Sequence, residues 1–155
     1  MLRKSKMRPA LILFLGYLGV WHAALAQDAI RISDAWINEA PPGMKMMGGY
    51  LSISNNTLHD IVLTGATSPC FKKIEFHVTE IKNGISSMHK QETITIPSGS
   101  VFSFSPGHYH LMMINQTRKL AANTPVPVTL HFAGGDSLEV LAEFRRGEAP
   151  SHDHH

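Results

Sequence analysis

The sequence has 155 residues, a formal charge of +2 at neutral pH and a single cysteine. Four of its fourteen basic residues (Arg3, Lys4, Lys6 and Arg8) and none of its acidic ones fall within the first 26 positions, so the remainder carries ten basic residues against twelve acidic ones, a net of −2. With the other basic residues scattered in pairs such as Lys72-Lys73, Arg118-Lys119 and Arg145-Arg146, the composition excludes a nucleic-acid surface, and the lone Cys70 excludes an internal disulfide framework.

The first element is a basic start followed by an apolar stretch from Pro9 to Leu25 that ends in Ala24-Leu25-Ala26. This is the pattern of a cleavable secretory signal over residues 1–26, leaving a mature chain from Gln27 in the periplasm. An uncleaved anchor competes with it, because the apolar run approaches the ~20 residues a spanning helix needs. The small-x-small end favours cleavage, and with the signal gone no membrane span is expected. No cysteine follows the apolar core, which speaks against a lipid-modified form.

Beyond the signal, residues 27–147 read as one all-β domain. Alternating or β-branched runs recur about every ten residues: 30–37, 49–54, 61–66, 73–81, 84–89, 92–96, 101–104, 109–115, 126–132 and 138–144. Turn signals separate them, among them Asn55-Asn56, Lys82-Asn83-Gly84, Pro97-Ser98-Gly99, Ser105-Pro106-Gly107 and Gly134-Gly135-Asp136. This spacing predicts a Greek-key β-sandwich or barrel, and roughly 130 residues suffice for one core.

Four residues on these strands carry the chemistry. His77 and Met88 are separated by ten residues, Met88 and His110 by twenty-one, and Met112 follows His110 by two. Side chains two apart on a strand share a face, so His110 and Met112 project together, while the 82–84 turn folds Met88 back towards His77. Two imidazoles and two thioethers form a soft donor set suited to Cu(I), because thioether sulfur is a poor ligand for zinc, magnesium or calcium. Taken singly, each residue has a plainer role: methionine fills gaps in cores, and a strand histidine can simply be hydrogen-bonded.

Met44, Met46 and Met47 cluster in the segment 41–48, expected to be a loop, where they could shield the copper, hold a second Cu(I) or cap the core. Residues 148–155 form a separate element, a tail ending Ser151-His152-Asp153-His154-His155. Imidazoles and a carboxylate without sulfur suit Cu(II) or zinc, so His152, Asp153, His154 and His155 are candidates for a secondary site, with a tag remnant as the alternative. His59, His89 and His131 are expected to be ordinary polar positions.

The spacing His-x10-Met-x21-His-x-Met, met by His77, Met88, His110 and Met112, resembles the signature of the periplasmic PCuAC copper chaperones. Supporting stretches are Asp34-Ala35-Trp36-Ile37, Pro41-Pro42, the run 49–55, Glu75-Phe76-His77, Ile96-Pro97-Ser98-Gly99 and Pro106-Gly107, so the likeness covers about residues 29–146. The resemblance implies a cupredoxin-like barrel without a blue-copper centre, binding one Cu(I) and handing it to another protein. Its implied partners are the copper-site subunit of cytochrome c oxidase and Sco-type thiol chaperones. Two departures stand out: Val78 follows His77 where some members carry a further Met, and His108 adds an imidazole two residues before His110, a candidate secondary metal residue that could compete for the copper or support its ligands.

Ligand exchange, not catalysis, is therefore the expected chemistry. A blue-copper carrier would need a cysteine ligand with His and Met close behind it, and Cys70 has no such followers. A zinc hydrolase would want a His-Glu-x-x-His motif or a comparable cluster, which the sequence lacks. Copper storage or tolerance, and a metal-free structural sandwich, are the remaining alternatives.

Overall fold

A computed structural model describes residues 29–41 and 43–146; the expected signal and the His-containing tail lie outside them. Ten strands form a single sheet: β1 (Ile30–Asn38), β2 (Met46–Asn55), β3 (Ile61–Thr67), β4 (Phe71–Lys82), β5 (Ile85–Gln91), β6 (Ile94–Ile96), β7 (Val101–Phe104), β8 (Tyr109–Gln116), β9 (Pro125–Phe132) and β10 (Ser137–Arg145). Their order is β5-β4-β8-β2-β1-β10-β9-β3-β6, with β7 paired to β2 beside β8. The sheet curls around one core without closing, so the fold is an open all-β barrel, as the strand spacing predicts. Pairing is antiparallel except between β1 and β10.

Alternation decides which side chains enter the core. Leu111 and Met113 on β8 and Phe76 on β4 are buried together with Ile37, Ile53, Leu63 and Phe144. The intervening residues of β4 and β8 therefore face outward. Strand β9 tolerates Pro127 because its pairing with β3 stops at Thr129, leaving the proline bonded on one side only.

Two local devices set the frame. Asn83 and Gly84 both have positive φ (53° and 77°), as a two-residue type I′ hairpin requires, and Lys82 pairs with Ile85 across them. That turn sets the register of β5 on β4, Thr79 opposite Met88 and His77 opposite Lys90.

Asn55, fully buried, ties the end of β2 to the segment between β6 and β7. Its Nδ2 donates to the carbonyls of His59 (2.8 Å) and Ile96 (3.0 Å), and its Oδ1 accepts from Thr57 N (3.0 Å) and Oγ1 (2.7 Å). Its backbone bonds Ser100 and Gly99. The side chain thus uses all its donors and acceptors, and removing it would strand the buried Ile96 carbonyl and loosen the part-buried partners at Thr57 and His59. Asn55→Ala should lower unfolding free energy by about 2–4 kcal/mol, read from urea denaturation. A loss under about 0.5 kcal/mol would show that water replaces the amide.

Candidate metal centre

Pairing between β4 and β8 sets His77 directly opposite His110 and Glu75 opposite Met112. These four side chains share the outward face, and Met88 on β5 joins it because its partner Thr79 lies two residues from His77. Met88 is thus diagonal to His77 on the neighbouring strand and half exposed, at 49%. His110 is nearly buried although it faces away from the core, and the His77 side chain is 17% exposed, so the centre is a recess and not an open surface.

The imidazole rings lie 5.9 Å apart between centroids, inclined by 40°. A nitrogen-bound metal sits about 3.2 Å from the centroid of its ring, a bond of about 2.05 Å plus the ring radius, so two rings on one ion can be at most about 6.4 Å apart. The observed separation fits within that limit.

Each ring has one nitrogen already committed. His77 Nε2–H donates to Glu75 Oε2 (3.0 Å), and His110 Nδ1–H donates to the carbonyl of His108 (3.1 Å). A carboxylate and a carbonyl can only accept, so these bonds define opposite tautomers and leave lone pairs on His77 Nδ1 and His110 Nε2. His77 Nδ1 is buried and has no hydrogen-bond partner. Such an orphan costs on the order of 1–3 kcal/mol unless something binds it, and an incoming cation would do so.

Glu75 is itself held: Lys73 Nζ bonds its other oxygen at 2.5 Å. The Lys73 hydrogen bond, then that from His77, lowers its pKa to about 2. The carboxylate therefore remains an anion beside the His77 ring. Among the described residues no group of three or more His, Cys, Asp or Glu side chains could hold a metal, so the thioethers are the donors available to complete a site around the two imidazoles.

The other candidates separate. His108 lies just before β8 with its ring exposed, and it is its carbonyl that matters, accepting from both His110 Nδ1 and Thr79 N. The expected loop over 41–48 ends earlier, because Met46, Met47 and Gly48 pair with Ile114, Met113 and Met112 and extend β2. This divides the methionine cluster: Met46 lies on the outer face, exposed; Met47 packs against the core; Met44 stays exposed ahead of the strand. His131 bonds Thr67 at 2.8 Å, away from the centre, while His152, Asp153, His154 and His155 lie outside the described residues.

Glu75 was absent from the candidates read in sequence, although its i−2 spacing from His77 was the available signal. Gly48 and Tyr50 were also missed. A side chain at Gly48 would collide with the Tyr50 hydroxyl, its ideal Cβ falling 2.4 Å from that oxygen, and partial burial raises the pKa of the phenol.

Residues 30–144 match the family described as LpqE-like, putative lipoprotein LpqE-like. The chain belongs to this family. A relative, putative lipoprotein Lxx21020 of Leifsonia xyli subsp. xyli (strain CTCB07), is 31% identical over 114 residues, covering 73% of this chain and 68% of its own length. Membership points to an exported, envelope-associated protein; the sole cysteine, Cys70, is buried in the fold.

The fold itself is shared with solved PCuAC domains. The copper-bound PCuAC domain from PmoF2 superposes with a TM-score of 0.65 at 19% identity, covering 76% of this chain and 93% of that domain. The copper(I) form of DR1885 from Deinococcus radiodurans gives 0.63 at 23% identity, over 80% and 83% of the two chains.

The tautomer assignment is testable without metal. Nitrogen-15 spectra of the metal-free protein at alkaline pH should show His77 protonated at Nε2 and His110 at Nδ1. The same tautomer at both would dismantle the description of the two free lone pairs.

Proposed function

We propose that this protein is a periplasmic copper carrier, exported by a signal over residues 1–26, that holds Cu(I) through His77, His110, Met112 and Met88 and releases it by ligand exchange. What carries the reading is the pair of imidazoles facing across β4 and β8, each with one nitrogen anchored and, at His77, the other buried without a partner. The shared fold of the copper-bound PmoF2 domain and of copper(I) DR1885 supports it.

The copper is cargo. Neutral nitrogen and thioether donors satisfy Cu(I) without the charge that a thiolate would add, so a thiolate-bearing acceptor holds it more tightly and transfer runs downhill. Met88, half exposed on the outermost strand, is the donor an acceptor reaches first. His77 and His110 hold the ion meanwhile, since their orientation is set by Glu75 and the His108 carbonyl. The acceptor class is a thiol protein of the Sco type or the copper-site subunit of cytochrome c oxidase itself. No bond of a substrate is made or broken, so the protein acts as a carrier and not an enzyme. The C-terminal His152, Asp153, His154 and His155 offer a separate, lower-affinity site for Cu(II).

The test is competition with a chromophoric Cu(I) chelator. The chain from Gln27 to Arg146 should take up one Cu(I), and the His110→Ala/Met112→Ala double variant should lose it while melting as a folded protein. Glu75→Gln should weaken binding by about tenfold, because it frees the His77 ring. Equal affinity in the double variant would refute the ligand set. Binding found only in the chain that includes the tail would move the metal chemistry to residues 148–155.

A further inference from the structure

His110 faces outward yet is only 7% exposed, so something must cover it. On the β4 side its neighbour is His77; on the β2 side the residue opposite Met112 is Gly48, which has no side chain to offer. The space above Gly48 is filled instead by Tyr50. An ideal Cβ on Gly48 would lie 2.4 Å from the Tyr50 hydroxyl oxygen and 2.8 Å from Cζ, so the ring folds back over the glycine.

Tyr50 is held in that pose from its far side. A bulge in β1 between Ser33 and Trp36, made by Asp34 at positive φ, shifts the register so that Trp36 pairs with Tyr50. Their ring centroids are 4.4 Å apart, and the Arg145 guanidinium sits 5.0 Å above the indole. Opposed residues on adjacent strands have Cβ atoms about 5 Å apart, which sets the phenol over Gly48 next to the Met112 side chain. The pairing of β2 with β8 stops at Gly49 and Leu111; one further step would bring Tyr50 opposite His110.

We infer that Tyr50 is a positioning residue that walls the β2 side of the copper recess, confining the Met112 thioether towards His110 and keeping water and hard donors from the ion. This rests on the copper reading above. The wall favours Cu(I) over Cu(II) in two ways: it holds a soft donor in place, and it denies Cu(II) the extra oxygen ligands that it prefers. The aromatic ring does this, not the hydroxyl.

Gly48 provides a way to move the ring without altering it. All three nearest atoms to a Cβ there belong to Tyr50, at the end of a side chain, so Gly48→Ala acts first on the phenol, which can swing aside. The experiment compares the full chain with Tyr50→Ala, Tyr50→Phe, Gly48→Ala and His110→Ala. Each is checked for folding by thermal melting and then loaded with one equivalent of Cu(I). Two readouts are taken: affinity against a chromophoric chelator, and the time in air before the Cu(II) paramagnetic signal grows in, each Cu(I) giving one electron to dioxygen.

Tyr50→Ala and Gly48→Ala should both bind Cu(I) about tenfold more weakly and oxidise several-fold sooner, whereas Tyr50→Phe should match the unaltered protein. If Tyr50→Ala does not fold, Gly48→Ala alone decides. Unchanged affinity and oxidation time in Gly48→Ala, or losses in Tyr50→Phe as large as those in Tyr50→Ala, would overturn the assignment. Retention of Cu(I) by His110→Ala would instead overturn the copper site, and so the two failures are told apart.

Discussion

The register of β8 on β4 is the constraint on which the centre depends. Pairing His77 with His110 and Glu75 with Met112 puts two rings and a thioether on one face while Phe76, Leu111 and Met113 fill the core on the other. A slip of one residue would exchange the two sets, driving imidazoles into the core and Leu111 into water. The cost of burying apolar side chains wrongly therefore protects the geometry of the polar face. The functional arrangement is specified by the core behind it, and no strong interaction among the outward residues is needed to hold it.

Within that frame the two histidines are prepared differently. His110 is anchored by backbone, through the carbonyl of His108 in the tight turn that enters β8. His77 is anchored by a carboxylate that Lys73 in turn restrains. Both anchors use an N–H, so both free nitrogens are unprotonated acceptors, which is the form a metal requires. At His77 the arrangement leaves a buried nitrogen unsatisfied. A protein selected only for stability would fill or hydrate that position; the proposed carrier role would instead gain from it an affinity that needs little rearrangement when an ion arrives.

Much of the fold was legible because alternation of apolar and polar residues directly encodes a two-faced strand, and Asn83-Gly84 directly encodes a hairpin. The pair His110 and Met112 followed from the same rule. Less legible was anything that depends on which strand lies alongside. Met46 and Met47 read as loop because their strand exists only through pairing with Ile114 and Met113, across a separation of more than sixty residues. Glu75 has only its i−2 spacing from His77 to mark it, a spacing that also occurs on any solvated strand face. Tyr50 over Gly48 is invisible in sequence, since it needs the absence of one side chain, the fold-back of another and a bulge in a third strand. Asn55, which reads as a turn former, is instead the buried tie between β2 and the segment from β6 to β7.

The placement of the four proposed donors is asymmetric, and the asymmetry bears on exchange. His77, His110 and Met112 stand on β4 and β8, each paired on both sides or buried in the recess, whereas Met88 stands on β5 at the edge of the sheet. The β4–β5 hairpin carries exposed Ile81 and Ile85 near its tip, so little packing holds its end down. A hairpin of that kind can bend at small cost, since its opening breaks few buried contacts. A donor on such a hairpin can leave without disturbing the other three, and a thioether leaves as a neutral group that takes no proton. Tight holding and ready release need not conflict when the firm donors sit on the interior strands and the labile one on the edge.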